Sequence, residues 1–596
     1  MPHQLGYGVR LGAEAAAHAA RLYLSKLTAN KALLKLDFTN AFNTVRRDKM
    51  LASVELLAPS IFPFIHSVYC APSSLFWDDR VIHSCEELRM SYLDDISLGG
   101  DVEDTSNDLV MFKQGVKDVG LQLNPNKFPG SRIVNLSMAT LLGSPLGDVP
   151  GISSVLTEKT NLLKIMGERL PFLSTHDAYL LLRHSIALPK LLYCLRTAPC
   201  FLSPQLQQYD AVLKTIMCNT FNIHLSNDHS AWTQAVLPVR HGGLGIRSAV
   251  RLAPSAYLAS AAASSTLVHQ ILPPQFSDTD LPCFQEALAL WTNSCNAVTN
   301  LLPEGITSYH PKSWDIPTIL AIKENVLNSA TNESSKSRLL AAFSEESGIW
   351  LNALPLSSLG LRMDDSTFQI AVSLRLGLAF CKPYSCHHCG CEVTAFATHG
   401  LSCVKSQGRY HRHSSLNDII HRAFGASRIP SRLEPSGISR SDGKRPDGAT
   451  LVPWKCGKLL VWDATCVDTY APSYSRVASQ EAGAVADQAE KRKSDKYSNM
   501  DPNMYLFAPV VIETSGVFGK QTFSFLKDLA CHVHKVSGEV KSFPYLLQRL
   551  AVAVQRAEHQ YKNVMPQVWS MKESTYRNML LSDQHVKLVF EELQCT

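Results

Sequence analysis

The chain has no long uninterrupted apolar run, no evident internal repeat, no low-complexity tract and little charge for its size. Its most apolar stretch, Leu252 to Leu272, is broken by Pro254, several serines and His269, which makes it a poor membrane span. The first twenty residues lack a basic region followed by an apolar core and a cleavage site, so no signal peptide is expected and the location expected is intracellular. Charged residues make up 18% and hydrophobic residues 45%, the balance of an ordinary globular protein. The net charge of +5 admits a nucleic-acid partner without requiring one. The 16 cysteines mostly stand singly in a chain of 596 residues, which fits a reducing compartment rather than a disulfide scaffold. A chain of that length predicts about four structural units.

What is present is a change of texture along the chain. Residues 8–28 are alanine-rich with helical spacing. Ala32 to Phe38 reads as a short strand ending in a carboxylate, and Leu88 to Gly100 as a hairpin with Asp94 and Asp95 near its turn and Gly99-Gly100 after it. Residues 105–121 form an amphipathic helical pattern, and residues 154–300 carry Leu and Ala at helical spacing with no chemical constellation. Residues 301–345 carry Pro, Ser and Asn and are expected to include a linker. From about 430 to 520, Gly, Pro and β-branched runs replace the helical pattern. Leu459 to Thr465 and Leu506 to Thr514 read there as buried strands.

Nucleotide polymerisation needs acidic side chains on adjacent strands to hold two Mg²⁺ ions. Asp37 at a strand end, with Asp94 and Asp95 at a hairpin turn, have that placement. An Asp-Asp pair alone carries little, since Asp78-Asp79 and Asp364-Asp365 also occur and a solvated turn explains any of them. The surrounding text adds more. LDFTNAFNTV (36–45), YLDDISLGG (92–100), GLQLNPNK (120–127) and LLGSPLG (141–147) resemble, in order, motif A, motif C, motif D and the primer-grip region of reverse transcriptases. HGGLGIRSA (241–249) resembles the segment after the thumb in non-LTR retroelements. The resemblance implies a palm with Asp37, Asp94 and Asp95 as catalytic ligands of Mg²⁺ or Mn²⁺. It assigns Phe42, Tyr92 and Lys127 to nucleotide and primer binding. DNA and RNA would be the partners, with no membrane, and the nucleus the location. The departures are as informative. Only 57 positions separate Asp37 from Asp94, no Gly- and Gln-rich motif B lies between them, and no fingers precede motif A. The resemblance therefore implies a truncated palm that does not polymerise DNA.

A second constellation lies in CHHCGCEVTAFATHGLSC. Cys386-x2-Cys389-x9-His399-x3-Cys403 supplies two close ligand pairs joined by a loop, the arrangement of a structural Zn²⁺ site with all four positions filled by protein. Cys391, His387 and His388 are spare donors, and a reduced, metal-free cluster is the bland alternative. Tyr410, His411, Arg412 and His413 follow and either contact phosphate or form a solvated basic face.

A third constellation runs from Lys444 to Thr465, where Asp447 and Asp463 flank a predicted hairpin. Metal-dependent nucleases use two such acids and a nearby lysine. Arg445-Pro446-Asp447 followed by Asp463, behind a Cys-His knuckle, resembles the restriction-like endonuclease of non-LTR retroelements. The usual acid-x-Lys is absent, since Thr465 stands where the lysine would be. In the retroelement version the lysine lies downstream in a Lys-x-x-Lys-Tyr run, and KSDKY (493–497) fits it, with Lys493 in the catalytic position on a predicted helix. Glu434 and Glu513 are further acids that could approach the site. Taken singly, a Pro-Asp-Gly turn, a strand cap and a solvated helix face explain these residues too.

The expected architecture is α+β. A partial palm (1–150) and a helical thumb or connector (151–300) precede a linker with a helical segment (301–380). A zinc cluster (381–425), a PD-(D/E)xK-like α/β nuclease domain (426–530) and a helical tail (531–596) follow. The function implied is a polymerase-defective reverse transcriptase-like protein with metal-dependent DNA endonuclease activity. The rival is a non-catalytic nucleic-acid-binding remnant.

Overall fold

The computed structural model describes residues 5–6, 8–28, 30–36, 38, 46–69, 88–92, 95–118, 121–124, 138–225, 229–276, 281–295, 311–403, 405, 408–438 and 445–556. It is a mixed α and β structure, rich in helices, with small sheets. Two compact units account for it. The first combines residues 1–161, 190–210 and 249–318, and the second residues 162–189, 211–248 and 319–596. The segments expected as thumb (151–300) and linker (301–380) are each divided between the two. No helix of the described residues is long and apolar enough to cross a membrane.

In the first unit, helix α1 (Gly12–Ser25) places Ala15, Ala16, Ala19 and Ala20 on one face. These small side chains sit in one core with Tyr257, Leu258 and Ala261 of a long helix that becomes α3 below. Two polar groups are buried in the same helix. His18 Nε2 lies 3.1 Å from Ser260 Oγ, and burial pulls the imidazole down to about 3, so it stays neutral. The Arg21 guanidinium donates to the carbonyls of Pro145, Leu146, Gly147 and Thr197. The peptide oxygens thereby satisfy a cation that burial would otherwise penalise.

A three-stranded antiparallel sheet has the order β1-β3-β2, from β1 (Lys31–Leu36), β2 (Leu88–Tyr92) and β3 (Asp95–Asp101). Leu36 pairs with Ile96 and Tyr92 with Asp95, so the expected strand and hairpin share one sheet and meet at one end. Gly99 and Gly100, expected after the turn, lie inside β3 opposite Leu33 and Ala32. Helix α2 (Val102–Asp118) contributes Phe112 and Val116 to a small core with Leu36, Phe38 and Leu98. Strands β4 (Thr140–Leu141) and β5 (Ser144–Pro145) form a tight hairpin across Leu142 and Gly143, both at positive φ. The most apolar stretch is helix α3 (Ala249–Ile271), whose side chains are largely buried within the unit. Trp291 of helix α4 (Phe284–Ser294) donates its indole N–H to the Trp314 carbonyl at 2.7 Å.

Within residues 301–345, expected to include a linker, Pro311–Asn328 and Glu333–Phe343 are helices. The reason is positional. Pro311 occupies the first turn, where a missing N–H costs nothing. Asn332 is a cap whose side chain accepts the Ser335 N–H at 2.8 Å. Residues 301–310 lie outside the described part. The Asp364-Asp365 pair is also a capping device: Asp364 caps helix α5 (Asp365–Leu376) by accepting the Thr367 N–H, and Asp365 accepts the Thr175 N–H at 2.7 Å.

The second unit carries a sheet of order β11-β10-β9-β8, from β8 (Ser431–Leu433), β9 (Gly448–Thr450), β10 (Leu459–Val467) and β11 (Tyr505–Glu513). β10 and β11 are parallel, with Asp463 opposite Pro509, and β9 is antiparallel to β10 with Gly448 opposite Trp462. Pro509 is tolerated because β11 is an edge strand. Alternation along β10 sends Leu460, Trp462 and Ala464 to one face and Asp463 to the other. The apolar face packs against helix α7 (Gly408–Ala426), α9 (Lys520–Ser537) and α10 (Ser542–Arg556). Trp462 stacks on Phe424 at 5.1 Å between centroids. A Cβ on Gly448 would stand 2.0 Å from the Trp462 ring, so only glycine fits there. Helix α8 (Ala484–Lys496) is the crossover between the parallel strands and covers the opposite face, where its Ala486 and Ala489 pack with Val511 of β11. Between this sheet and α5, strands β6 (Tyr384–Ser385) and β7 (Glu392–Val393) and helix α6 (His399–Ser402) build the Cys-His module.

Candidate metal centres

The Cys-His module is organised by its backbone. Cys386 N–H donates to the Cys391 carbonyl and Gly390 N–H to the Cys386 carbonyl, both at 2.8 Å, closing a knuckle with Gly390 at φ +79°. Helix α6 starts at His399 and hands over to Cys403, whose N–H returns to the His399 carbonyl at 2.9 Å. The ligand atoms of Cys386, Cys389, His399 and Cys403 all lie within 4.8 Å of one another. Cys386 and Cys403 Sγ are 3.9 Å apart, and Cys389 Sγ is 3.1 Å from His399 Nε2. A tetrahedral ion with metal–sulfur bonds of about 2.3 Å has a sulfur–sulfur edge of about 3.8 Å. The cluster can therefore hold a zinc ion. The Cys391 backbone N–H is the main reason the Cys389 thiol is lowered to about 7, which favours the thiolate a metal needs. Cys391 is exposed and is not among the four.

The second centre lies between the sheet and two helices. His413 Nε2, on α7, is 2.9 Å from Asp447 Oδ2. The same oxygen accepts the Ala464 N–H at 2.6 Å, which ties the residue before β9 to β10. From the other face, Lys493 Nζ on α8 meets Asp463 Oδ1 at 2.7 Å. One ligand atom each from His413, Asp447 and Asp463 falls within 4.8 Å of the others. Both carboxylates are about 15% exposed, so they are shielded yet still reach solvent. Asn417 stands one turn along α7. Its Oδ1 accepts the Trp462 indole N–H at 3.0 Å, which turns its amide NH₂ toward His413 and Asp447.

The charges at this centre are unequal. Burial pushes Asp463 up, the Lys493 ammonium pulls it back, and neighbouring Asp447 raises it again. Burial also works against ionised Asp447, but bonds from His413, Ala464 N–H and Asn417 hold it below the usual carboxylate range. The bond to Asp447 holds His413 above the ordinary imidazole range. A divalent cation entering here would meet an ionised carboxylate, a second one close by, and an imidazole able to exchange its proton for the ion. The donor set fits such an ion.

Asp37, Phe42, Asp94 and Lys127 lie outside the described residues, while Asp95 begins β3 and Tyr92 ends β2. Glu513 is not at the second centre. It ends β11, buried, accepting the Thr469 hydroxyl at 2.8 Å and the Ala486 N–H at 3.1 Å near the start of α8. The exposed Glu434 donates its backbone N–H to the Asp447 carbonyl at 2.9 Å. In the Lys-x-x-Lys-Tyr run, Lys493 reaches Asp463 while Tyr497 stacks on Phe507 at 4.4 Å. Of the basic stretch after the knuckle, Tyr410 is exposed, Arg412 is buried and His413 belongs to the carboxylates. Asn417 was missed by sequence reasoning. The available signal was its spacing from His413, which puts both on one helical face. A scan against protein-family models and a search of curated proteins each return no match for this chain.

Proposed function

We propose that the second unit is a metal-dependent DNA endonuclease, stapled by a structural zinc ion, in a retroelement-derived chain whose reverse transcriptase-like half does not polymerise. The observation that carries the reading is the meeting of Asp447, Asp463, Lys493 and His413, which come from four separate segments. A buried ion pair on this scale has no evident need of a histidine and a second acid beside it. Mg²⁺ or Mn²⁺, when bound, would polarise the scissile phosphate and supply hydroxide near neutral pH. Asp447 and Asp463 are the residues to hold it, with His413 as the further donor. Lys493, beside Asp463, would neutralise the negative charge that builds on the phosphate as water attacks it. Asn417 keeps Asp447 aimed. DNA is the substrate proposed, RNA a further partner, and the nucleus the location.

The experiment is nicking of supercoiled plasmid by zinc-loaded protein with Mg²⁺ or Mn²⁺, comparing wild type with Asp447→Ala and Asp463→Ala. Cleavage by wild type and by neither variant is the expected result. No metal-dependent cleavage from folded protein would sink the reading and leave a nucleic-acid-binding remnant.

A further inference from the structure

The two metal centres of the second unit are joined by consecutive residues. Arg412 is 4% exposed, and its Nη2 donates to the Leu401 carbonyl at 2.8 Å. Leu401 lies between His399 and Cys403, the second ligand pair of the Cys-His cluster, and is buried with Cys386, Val393 and Cys403. The next residue on the same helix, His413, meets Asp447. Successive helical residues point about 100° apart, so one turn of α7 presents a guanidinium to the knuckle and an imidazole to the carboxylates. A second strand of contact runs parallel to it. Asp468 follows β10, five residues after Asp463, and is buried at 8% exposure. Its Oδ1 accepts the Tyr470 N–H and the Thr514 hydroxyl, both at 3.0 Å, and Tyr470 packs on the core of the Cys-His module.

We infer that Arg412 is a positioning residue through which zinc at the Cys-His cluster sets the geometry, and hence the divalent-metal affinity, of the His413–Asp447–Asp463 centre. This rests on the nuclease reading for the use made of that centre, but not for the coupling itself. With zinc in place, the chain from His399 to Cys403 is fixed at both ends and the Leu401 carbonyl stays where Arg412 needs it. Without zinc that carbonyl is released. A buried guanidinium that has lost its acceptor is costly, so the first turns of α7 loosen and His413 withdraws from Asp447. The sheet is held by a core that includes Trp462, Phe424, Val510 and Leu526 and no residue of the knuckle.

The test compares full-length wild type, zinc-loaded and zinc-stripped, with Arg412→Ala and Arg412→Lys. Amide hydrogen exchange is followed at residues 408–417 and, as an internal control for folding, at 459–467 and 505–513. Mn²⁺ binding is measured by electron paramagnetic resonance in the absence of DNA. Zinc removal and Arg412→Ala should each speed exchange at 408–417 and weaken Mn²⁺ binding by roughly tenfold, the effect typical of residues that orient metal ligands. The two strands should keep their protection, zinc content should be unchanged in Arg412→Ala, and Arg412→Lys should recover part of the loss. Exchange at 408–417 that is the same in all forms would overturn the inference. Equal loss of protection in the strands would overturn it too, by making Arg412 a general support of the fold. The exchange arm decides the matter even where wild type binds no Mn²⁺, a result that would count against the nuclease reading alone.

Discussion

Each unit sets an aspartate at the end or in the middle of a β-strand, but the two settings differ in what surrounds it. In the first, Asp95 begins β3, a seven-residue strand backed by one helix and a small core around Phe38 and Phe112. In the second, Asp463 lies mid-strand in a sheet covered on both faces, with Lys493 delivered by α8, while the neighbouring Asp447 receives His413 from α7. The lesson is that a strand supplies carboxylates cheaply, whereas the cations that make them a site arrive on packed helices. In the second unit such helices lie on both faces of the sheet, so partners reach the carboxylates from two sides.

That contrast can be broken most directly by activity. Asp463→Ala should lower Mn²⁺-dependent nicking by roughly 10²–10³-fold, the scale of losing one preorganised electrostatic element, while Asp95→Ala leaves nicking unchanged. Templated primer extension by wild type that disappears in Asp95→Ala would contradict the proposal that the first unit does not polymerise. Next in size is the core behind the second site. Trp462→Ala should cost about 3–5 kcal/mol in denaturant unfolding of the second unit, and a cost below about 1 kcal/mol would mean that the ring does not hold α7 to the sheet. Cys403→Ser should abolish stoichiometric zinc in metal analysis and lower the second unit's thermal midpoint, leaving that of the first in place. Retention of one zinc per chain would point to Cys391 as a replacement ligand.

The smallest effect is on pH. His413 is raised by its bond to Asp447, so its contribution to stability is complete below the unfolded imidazole value of about 6.5 and lost as pH rises through the folded value. Asp447 is lowered and contributes above the unfolded carboxylate value of about 3.9, losing this as pH falls through its folded value. Asp463, raised by burial, acts in the opposite sense in acid, so the clean test is on the alkaline side. Without added divalent metal, the melting difference between wild type and His413→Asn should shrink from pH 6 to pH 9. A constant difference would show that the pair does not carry its charge in the fold.

How much of this was legible in the sequence depended on the kind of signal. The Cys-x2-Cys and His-x3-Cys pairs were readable because ligand spacing is set by local geometry. LLVWDAT and LFAPVVIET were readable because strands buried on both faces are written as apolar runs. Lys493 was readable only from its order behind the two aspartates, since the contact with Asp463 spans a crossover that no local pattern encodes. The helices at 311–343 were hidden because Pro311 and Asn332, which resemble linker residues, are doing the work of helix starts. Asn417 was hidden for a different reason. An asparagine on a helix declares nothing until Trp462, 45 residues later, fixes the direction of its amide.

The crossover through α8 also sets a timetable. β10 pairs in parallel with β11, and the helix carrying Lys493 lies between them in the chain. Pairing of this non-local kind forms late, because the intervening loop must be ordered before the strands are rewarded. α10, which shares the core with α7, ends at Arg556. A ribosome making this protein thus releases the Cys-His cluster and both aspartates before Lys493 can be held against Asp463. His413, Asp447, Asp463 and Lys493 therefore emerge unassembled, and the centre closes only after α8 and β11 have followed β10 out.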